Sequence, residues 1–165
     1  MKISLTPATT KDAKAIAQLR TATNERLTRD FGKGPWSSKV SEKGVLYALR
    51  ISRVFIVQDN QTIIGTFQLA TKKPWSIDKS YFADSRKPLY LTAMAVEPDR
   101  QRGGIGRGML EQVKTIARKW SGDAIRLDAY DLKGGAGEFY SKCGYQERGR
   151  ATYRGTPLIY YELLI

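Results

Sequence analysis

The 165-residue sequence predicts one α/β domain over residues 1–165, built in three layers with a central mixed, mostly antiparallel sheet flanked by helices. Three observations predict it. Val54, Phe55, Ile56 and Val57 form one apolar run and Ile63, Ile64, Phe67 and Leu69 another. Between them lies Gln58-Asp59-Asn60-Gln61, which is the grammar of an antiparallel hairpin. A strand-like run over 89–96, an amphipathic helical pattern over 104–120 and an alternating run over 125–130 then follow in succession, a crossover that favours parallel pairing. With 41% hydrophobic and 27% charged residues the composition is that of an ordinary globular chain, which excludes disorder and fibrous repeats.

The elements follow in order. Ile3, Leu5 and the turn residue Pro7 read as a short first strand, and Thr9 with Asp12 three residues later resembles a capping box. Ile16, Leu19, Thr23 and Leu27 then recur at helical spacing over residues 11–29. Phe31-Gly32-Lys33-Gly34-Pro35-Trp36-Ser37-Ser38 breaks that helix as an aromatic loop, and the hairpin comes next. Residues 71–88 carry Pro74-Trp75, Tyr81-Phe82 and Pro88, too irregular for an element and too aromatic for an inert linker. Leu89, Leu91, Ala93, Ala95 and Val96 make a strand that stops at Glu97-Pro98, because proline cannot donate to a ladder. Met109, Val113, Ile116 and Trp120 give the next helix its stripe, and Gly122 ends it. After the strand at 125–130, a short helix carries Phe139 and Tyr140 and stops at Gly144, and residues 157–164 supply a final strand. The expected order is β, α, β, β, β, α, β, α, β.

Charge and residue counts narrow the chemistry. Lys and Arg number 28 against 16 Asp and Glu, a formal charge of +12 that favours an anionic partner. The chain has no histidine, which removes every Ser-His or Cys-His pair and every imidazole-dependent zinc site. One cysteine, Cys143, allows neither a disulfide nor a thiolate metal cluster, so no metal is expected and a reducing, cytoplasmic setting is. Without an imidazole to make its thiolate, Cys143 reads as a small buried hydrophobe. No apolar run approaches the ~20 residues of a bilayer span, and the N-terminus lacks a secretory pattern; membrane partners and export are not expected.

The informative stretch is Val96-Glu97-Pro98-Asp99-Arg100-Gln101-Arg102-Gly103-Gly104-Ile105-Gly106-Arg107-Gly108, set between a terminated strand and an amphipathic helix. A helix start offers unpaired N–H groups and partial positive charge, and residues lacking Cβ let a phosphate approach that backbone. Arg100, Arg102 and Arg107 add guanidinium donors. A P-loop is excluded, because Gly106 is followed by Arg107-Gly108 and not by Lys and a hydroxyl residue. A dinucleotide fingerprint lacks its third glycine, although Asp128 stands where a ribose-binding acid would; that reading stays open as a runner-up.

Gln101-x-x-Gly104-x-Gly106, after a strand ending Val96-x-Pro98, resembles the acetyl-CoA-binding motif of the GNAT acetyltransferase superfamily. The resemblance continues through Ala136-x-x-Phe139-Tyr140-x-x-x-Gly144-Tyr145 and covers nearly the whole chain. It implies the GNAT acyl-CoA N-acyltransferase fold, with acetyl-CoA as cosubstrate. The pantetheine arm would pair with the backbone of Met94, Ala95 and Val96, and the pyrophosphate would sit on Gln101, Arg102, Gly103, Gly104, Ile105, Gly106 and Arg107. Tyr140 matches the family tyrosine that protonates the departing sulfur. Two positions depart from the family: Lys133 stands where an asparagine is frequent, and Tyr90 where the histone-modifying branch has its glutamate base. Glu97, Asp128 and Asp131 are the nearby carboxylates, and the base is unassigned.

The resemblance thus implies an N-acetyltransferase acting on a primary amine of a small molecule or peptide by direct attack, with no covalent enzyme intermediate. Trp36, Trp75, Tyr81, Phe82 and Asp128 are the candidate acceptor-binding residues, since aromatic walls can hold a cationic or apolar amine; the same aromatics could equally pin their loops to the core. The charge keeps a nucleic-acid-binding module as an alternative, disfavoured because no zinc-finger, zipper or RNP-like motif is present. A non-catalytic acyl-CoA sensor is a second alternative. Homodimerisation is compatible with the sequence and not specified by it.

Overall fold

The computed structural model describes residues 5–165, so Ile3 of the expected first strand lies outside the described residues. The elements are β1 (Leu5–Pro7), α1 (Ala13–Phe31), α2 (Glu42–Ile51), β2 (Arg53–Asp59), β3 (Thr62–Ala70), β4 (Pro88–Val96), α3 (Ile105–Lys119), β5 (Ala124–Tyr130), α4 (Gly137–Lys142), β6 (Gln146–Tyr153) and β7 (Thr156–Leu164), with short 3-10 turns at Thr10–Asp12, Lys79–Tyr81 and Pro98–Arg100. The strands run in the order β1-β2-β3-β4-β5-β7-β6 in one seven-stranded sheet. β4 pairs parallel with β5, while β1–β2, β2–β3, β5–β7 and β6–β7 are antiparallel. This is the expected mixed, mostly antiparallel sheet with helices against it.

Two elements depart from the expected order. α2 occupies a stretch with no element assigned to it. Its N-cap is Ser41, whose Oγ accepts from Gly44 N at 3.0 Å, and it buries Val45 and Ala48. β6 is an edge strand, nearly all polar and with no buried residue, so no apolar alternation marks it. Its turn to β7 is Arg154-Gly155, both at positive φ (48° and 80°), as a two-residue hairpin demands. Asn60-Gln61 (φ 48° and 68°) serve the predicted β2–β3 hairpin in the same way.

The chain forms two compact units interleaved in sequence: residues through Ala70 with Thr92–Gln112, and Thr71–Leu91 with Val113–Ile165. In the first, Ala13, Ile16, Ala17 and Leu19 of α1 pack with Val45, Ala48, Val54, Ile56 and Ile63. Asp12 Oδ2 accepts from Thr9 N at 2.8 Å, which is the carboxylate half of the expected capping box. Gly65 of β3 lets α3 approach, because a Cβ there would lie 2.9 Å from the Met109 sulfur.

The second unit is organised by a buried ion pair. Arg126 of β5 and Glu162 of β7 are register partners, 4% and 0% exposed, with Nε to Oε2 at 2.7 Å. Arg126 also donates to the Tyr90 hydroxyl at 3.3 Å and the Ala83 carbonyl at 2.6 Å, and its guanidinium lies 4.8 Å from the Phe82 ring. Arg148 Nε reaches Glu162 Oε1 at 2.9 Å. Burial pulls the Arg126 pKa down, but the bonds to Glu162 and Tyr90 outweigh it and hold it above its ordinary value. These bonds fasten the aromatic segment before β4 onto the sheet. Truncating Glu162→Ala leaves Arg126 buried beside a missing carboxylate, so chemical denaturation should show a loss of about 3–5 kcal/mol; a loss below about 1 kcal/mol would contradict this account.

Candidate active site

β4 changes direction within itself. Ala93 has φ +51°, in the left-handed region that costs a residue with a Cβ roughly 1–2 kcal/mol. A single residue of that kind inside a strand breaks the regular ladder and re-aims the groups after it. Those groups are Met94, Ala95 and Val96, all half-buried.

The chain then leaves the sheet. Glu97 N donates to Ile64 O at 2.8 Å, Pro98 opens a 3-10 turn, and Arg102 (φ +65°) and Gly104 (φ +87°) bend the chain twice through left-handed backbone before α3 begins at Ile105. Gly108 N donates to Gly104 O at 3.0 Å, which starts the helical ladder. A Cβ on Gly104 would meet nothing within 4 Å, so glycine there serves the backbone conformation and leaves open space above it. Gln101, Arg102, Gly103, Gly104 and Arg107 are exposed, Gly106 is half-buried, and Ile105 points into the core with 2% exposure.

The turn is fastened on two sides. Arg100 Nη2 lies 2.6 Å from Asp59 Oδ2 of β2, and Gln101 Nε2 donates to Val96 O at 3.1 Å. Arg100 is therefore engaged as a strut, and Arg102 and Arg107 are exposed beside the turn. Helix-start amides beside glycine backbone and guanidinium groups are a combination that can hold a phosphate or diphosphate.

The second unit carries the titratable groups. Tyr140 of α4 is 9% exposed, its ring among Phe139, Tyr145 and Tyr161 at 5.3, 5.8 and 6.2 Å. Burial pushes its phenol well above the ordinary tyrosine range, and the negative charge of Asp128 adds to the shift. Cys143 is 8% exposed, as expected of a buried hydrophobe.

Of the three carboxylates, Asp131 is engaged by Arg150 at 2.9 Å, and Glu97 is half-buried in the first unit. Asp128 is different. It is half-buried, its Oδ2 accepts from Ser76 Oγ at 2.5 Å, and burial raises its pKa although the Ser76 bond pulls the other way. Tyr90, at the position of the histone-type base, is 2% exposed in a cluster with Ile77 and Tyr160.

Trp36 belongs to the first unit, folded onto its own loop: Nε1 donates to Gly32 O at 3.1 Å and the ring meets Phe31 edge-on at 6.4 Å. Tyr81 and Phe82 pack on Tyr160 at 5.2 and 5.4 Å, and Tyr81 covers Gly149, where a Cβ would lie 2.3 Å from its ring. Trp75 is 82% exposed. Ser76, Ala93 and Asp59 escape sequence reasoning: a loop serine, a strand alanine and a turn aspartate carry no signal of what they touch.

No group of three or more metal-ligating side chains occurs among the described residues, and no helix there is long and apolar enough to cross a membrane.

Because the Asp128 pKa is raised in the fold, the folded chain holds a proton that the unfolded chain has released. Stability therefore falls as pH rises from the ordinary aspartate value through the folded one. Asp128→Asn keeps an acceptor for Ser76 and removes the charge, so thermal unfolding should show a more stable protein at pH 7 and no gain at pH 3; an equal effect at both would contradict the burial argument.

Residues 50–147, more than half of the chain, match the model of the acetyltransferase (GNAT) domain. No curated protein sequence matches the chain. Among solved structures, an N-acetyltransferase from Staphylococcus aureus Mu50 superposes with TM-score 0.72 at 14% identity over 99% of each chain. The ribosomal-protein-S18-alanine N-acetyltransferase from Escherichia coli gives 0.72 at 18% identity, covering 99% of this chain and 94% of that one. A PaiA N-acetyltransferase from Thermoplasma acidophilum in complex with coenzyme A gives 0.73 at 15% identity, covering 99% and 100%. These likenesses establish the fold, and with the domain match over residues 50–147 the chain belongs to the GNAT family of acetyl-CoA-dependent N-acetyltransferases.

Proposed function

We propose that this chain acts as one domain, transferring an acetyl group from acetyl-CoA directly to a primary amine of a small molecule or peptide. The observation that carries the reading is the turn of Arg102 and Gly104, whose left-handed backbone clears the start of α3 for an anion. In this reading the amides of residues 101–107 hold the diphosphate, Arg102 and Arg107 supply charge, and Met94, Ala95 and Val96 pair with the pantetheine arm.

Direct attack needs three things: an uncharged nitrogen, a donor for the oxyanion and a proton for the sulfur. Backbone N–H groups after Ala93 supply the second. Tyr140, a buried phenol that carries its proton at neutral pH, supplies the third. The absence of histidine and the burial of Cys143 speak against an acyl-enzyme. A cytoplasmic location fits a chain with one buried cysteine.

Titration calorimetry tests the first step. Wild-type chain should bind acetyl-CoA saturably, and Gly104→Val, which forces a β-branched residue into left-handed backbone under the ligand, should weaken binding at least about tenfold. An unchanged affinity would refute the phosphate site. Tyr140→Phe keeps the ring and removes the proton, so kcat in a thiol-release assay should fall by about 10²-fold or more with acetyl-CoA affinity unchanged; a wild-type kcat would remove Tyr140 from the mechanism.

A further inference from the structure

α4 carries Tyr140 and cannot stand alone. It runs from Gly137 to Lys142, six residues, too short to keep its hydrogen-bonded turns in water without support, so its seat is set by what it touches. At its entrance the chain is pinned. Asp131 N donates to Pro157 O at 3.0 Å and Gly135 N to Leu132 O at 3.0 Å. A Cβ on Gly135 would collide with the Tyr130 carbonyl, so backbone lies directly against backbone there and the loop has no room to slide. At the exit, Tyr145 N donates to Tyr140 O at 3.1 Å.

Between these ties the floor is Tyr161. It stands inside β7, paired with Leu127 of β5 on one side and Glu147 of β6 on the other, and it is 4% exposed, so neither its backbone nor its ring can retreat. A Cβ on Gly137 would lie 2.6 Å from the Tyr161 hydroxyl oxygen but 3.4 Å from the nearest ring carbons, Cε2 and Cζ. The hydroxyl alone obstructs a side chain at that position. Three residues on, along the same face of the helix, the Tyr140 ring lies 6.2 Å from the Tyr161 ring at an interplanar angle of 36°. Phe139 and Tyr145 also meet Tyr140, at 5.3 and 5.8 Å, but Phe139 belongs to α4 and Tyr145 to its tied exit, so both would move with the helix. Tyr161 is the fixed reference: its hydroxyl faces the first residue of α4 and its ring faces the phenol.

We propose that Tyr161 is the positioning residue of Tyr140: the seating of Gly137 over its hydroxyl sets how closely α4 lies on the sheet, and so where the Tyr140 hydroxyl stands. The inference rests on the acetyl-transfer reading above, in which Tyr140 protonates the departing sulfur, and it names the residue that holds this donor in place. Tyr161 itself exchanges no proton. Misplacing a reacting group by about 1 Å can cost on the order of 10²-fold in rate, so a helix lifted by one methyl group delivers its proton poorly. Glycine at position 137 is then what the site requires, although alanine is the better helix former. Gly135, Gly137, Tyr140 and Tyr161 all belong to the second unit, and the arrangement is complete within it.

The test is a double-mutant cycle in the full chain, read in two ways. The first uses acetyl-CoA as donor and, as acceptor, the most active member of a thiol-release panel of polyamines, amino acids, aminoglycosides and peptides. Gly137→Ala should lower kcat by about tenfold or more, while its calorimetric affinity for acetyl-CoA stays within about twofold of wild type. In the Tyr161→Phe background the added methyl meets only ring carbons at 3.4 Å, so the same substitution should cost less than about twofold in kcat. A general loss of helix or packing would follow Gly137→Ala in both backgrounds. The second reading needs no turnover. In chain made with isotope-labelled tyrosine, the Tyr140 ring signal, assigned by its disappearance in Tyr140→Phe, should shift on Gly137→Ala in the wild-type background and hold its place on the same change in the Tyr161→Phe background. A Gly137→Ala chain that folds only together with Tyr161→Phe reports the same contact. Equal cost or unfolding in both backgrounds, or a Tyr140 signal unmoved by Gly137→Ala, overturns the proposal. A wild-type chain silent toward every amine overturns the acetyl-transfer reading itself, and the tyrosine signals then still decide what seats α4.

Discussion

The start of a helix can hold a diphosphate only if nothing else occupies the space in front of its amides, and the proposed coenzyme site asks this of the stretch from Ala93 to Gly108. Left-handed backbone at Arg102 and Gly104 turns the chain without putting bulk over the first turn of α3. Arg100 and Gln101 spend their side chains on Asp59 and on the Val96 carbonyl, so the turn is fixed before a ligand arrives. α3 is held by Ile105, Met109 and Leu110, each at most 2% exposed, and Gly65 makes room for the Met109 sulfur. An exposed ion pair such as Arg100–Asp59 contributes little to stability, roughly 0–1 kcal/mol. Its significance is preorganisation.

The second unit solves a different problem with the same residue types. Arg126 and Glu162 could be replaced by apolar residues of similar size at little cost to stability, since desolvation offsets much of their attraction. What the pair does is fasten a segment of irregular backbone, because Arg126 takes the Ala83 carbonyl and Glu162 Oε1 accepts from Ala83 N at 3.4 Å. Ser85 and the amides of Arg86 and Lys87 likewise donate to Asp123, which holds that carboxyl below its ordinary range. A loop tied by so many polar bonds can carry side chains such as Ser76 in fixed positions.

The fold was legible where burial imposes a period. The β2–β3 hairpin, the apolar β4 and the stripe of α3 can all be read from spacing, because each presents one face to a core. β6 could not, since none of its residues is buried and Gln146, Glu147 and Arg150 show no apolar period. α2 was hidden by Gly44 in its first turn, although Ser41 and the Val45, Ala48 spacing mark it in retrospect. For the proposed site, the glycine pattern pointed to the turn before α3, and at Gly104 (φ +87°) the backbone itself favours glycine. The left-handed Ala93 and the Ser76–Asp128 bond had no such signal: each depends on which strands meet, and strand register is not written in one segment. The aromatic loops divided likewise. Trp36 folds on its own turn and Tyr81 and Phe82 pin their segment to Tyr160, while Trp75 alone keeps its ring in solvent.

Amide chemical shifts followed by NMR during titration with coenzyme A test the anion cradle most directly. The largest changes should fall on Gly103, Gly104, Gly106 and Arg107, with smaller ones at Met94, Ala95 and Val96. If those amides remain where they are while signals elsewhere move, the coenzyme binds by some other surface and the chemistry assigned to Tyr140 loses its basis.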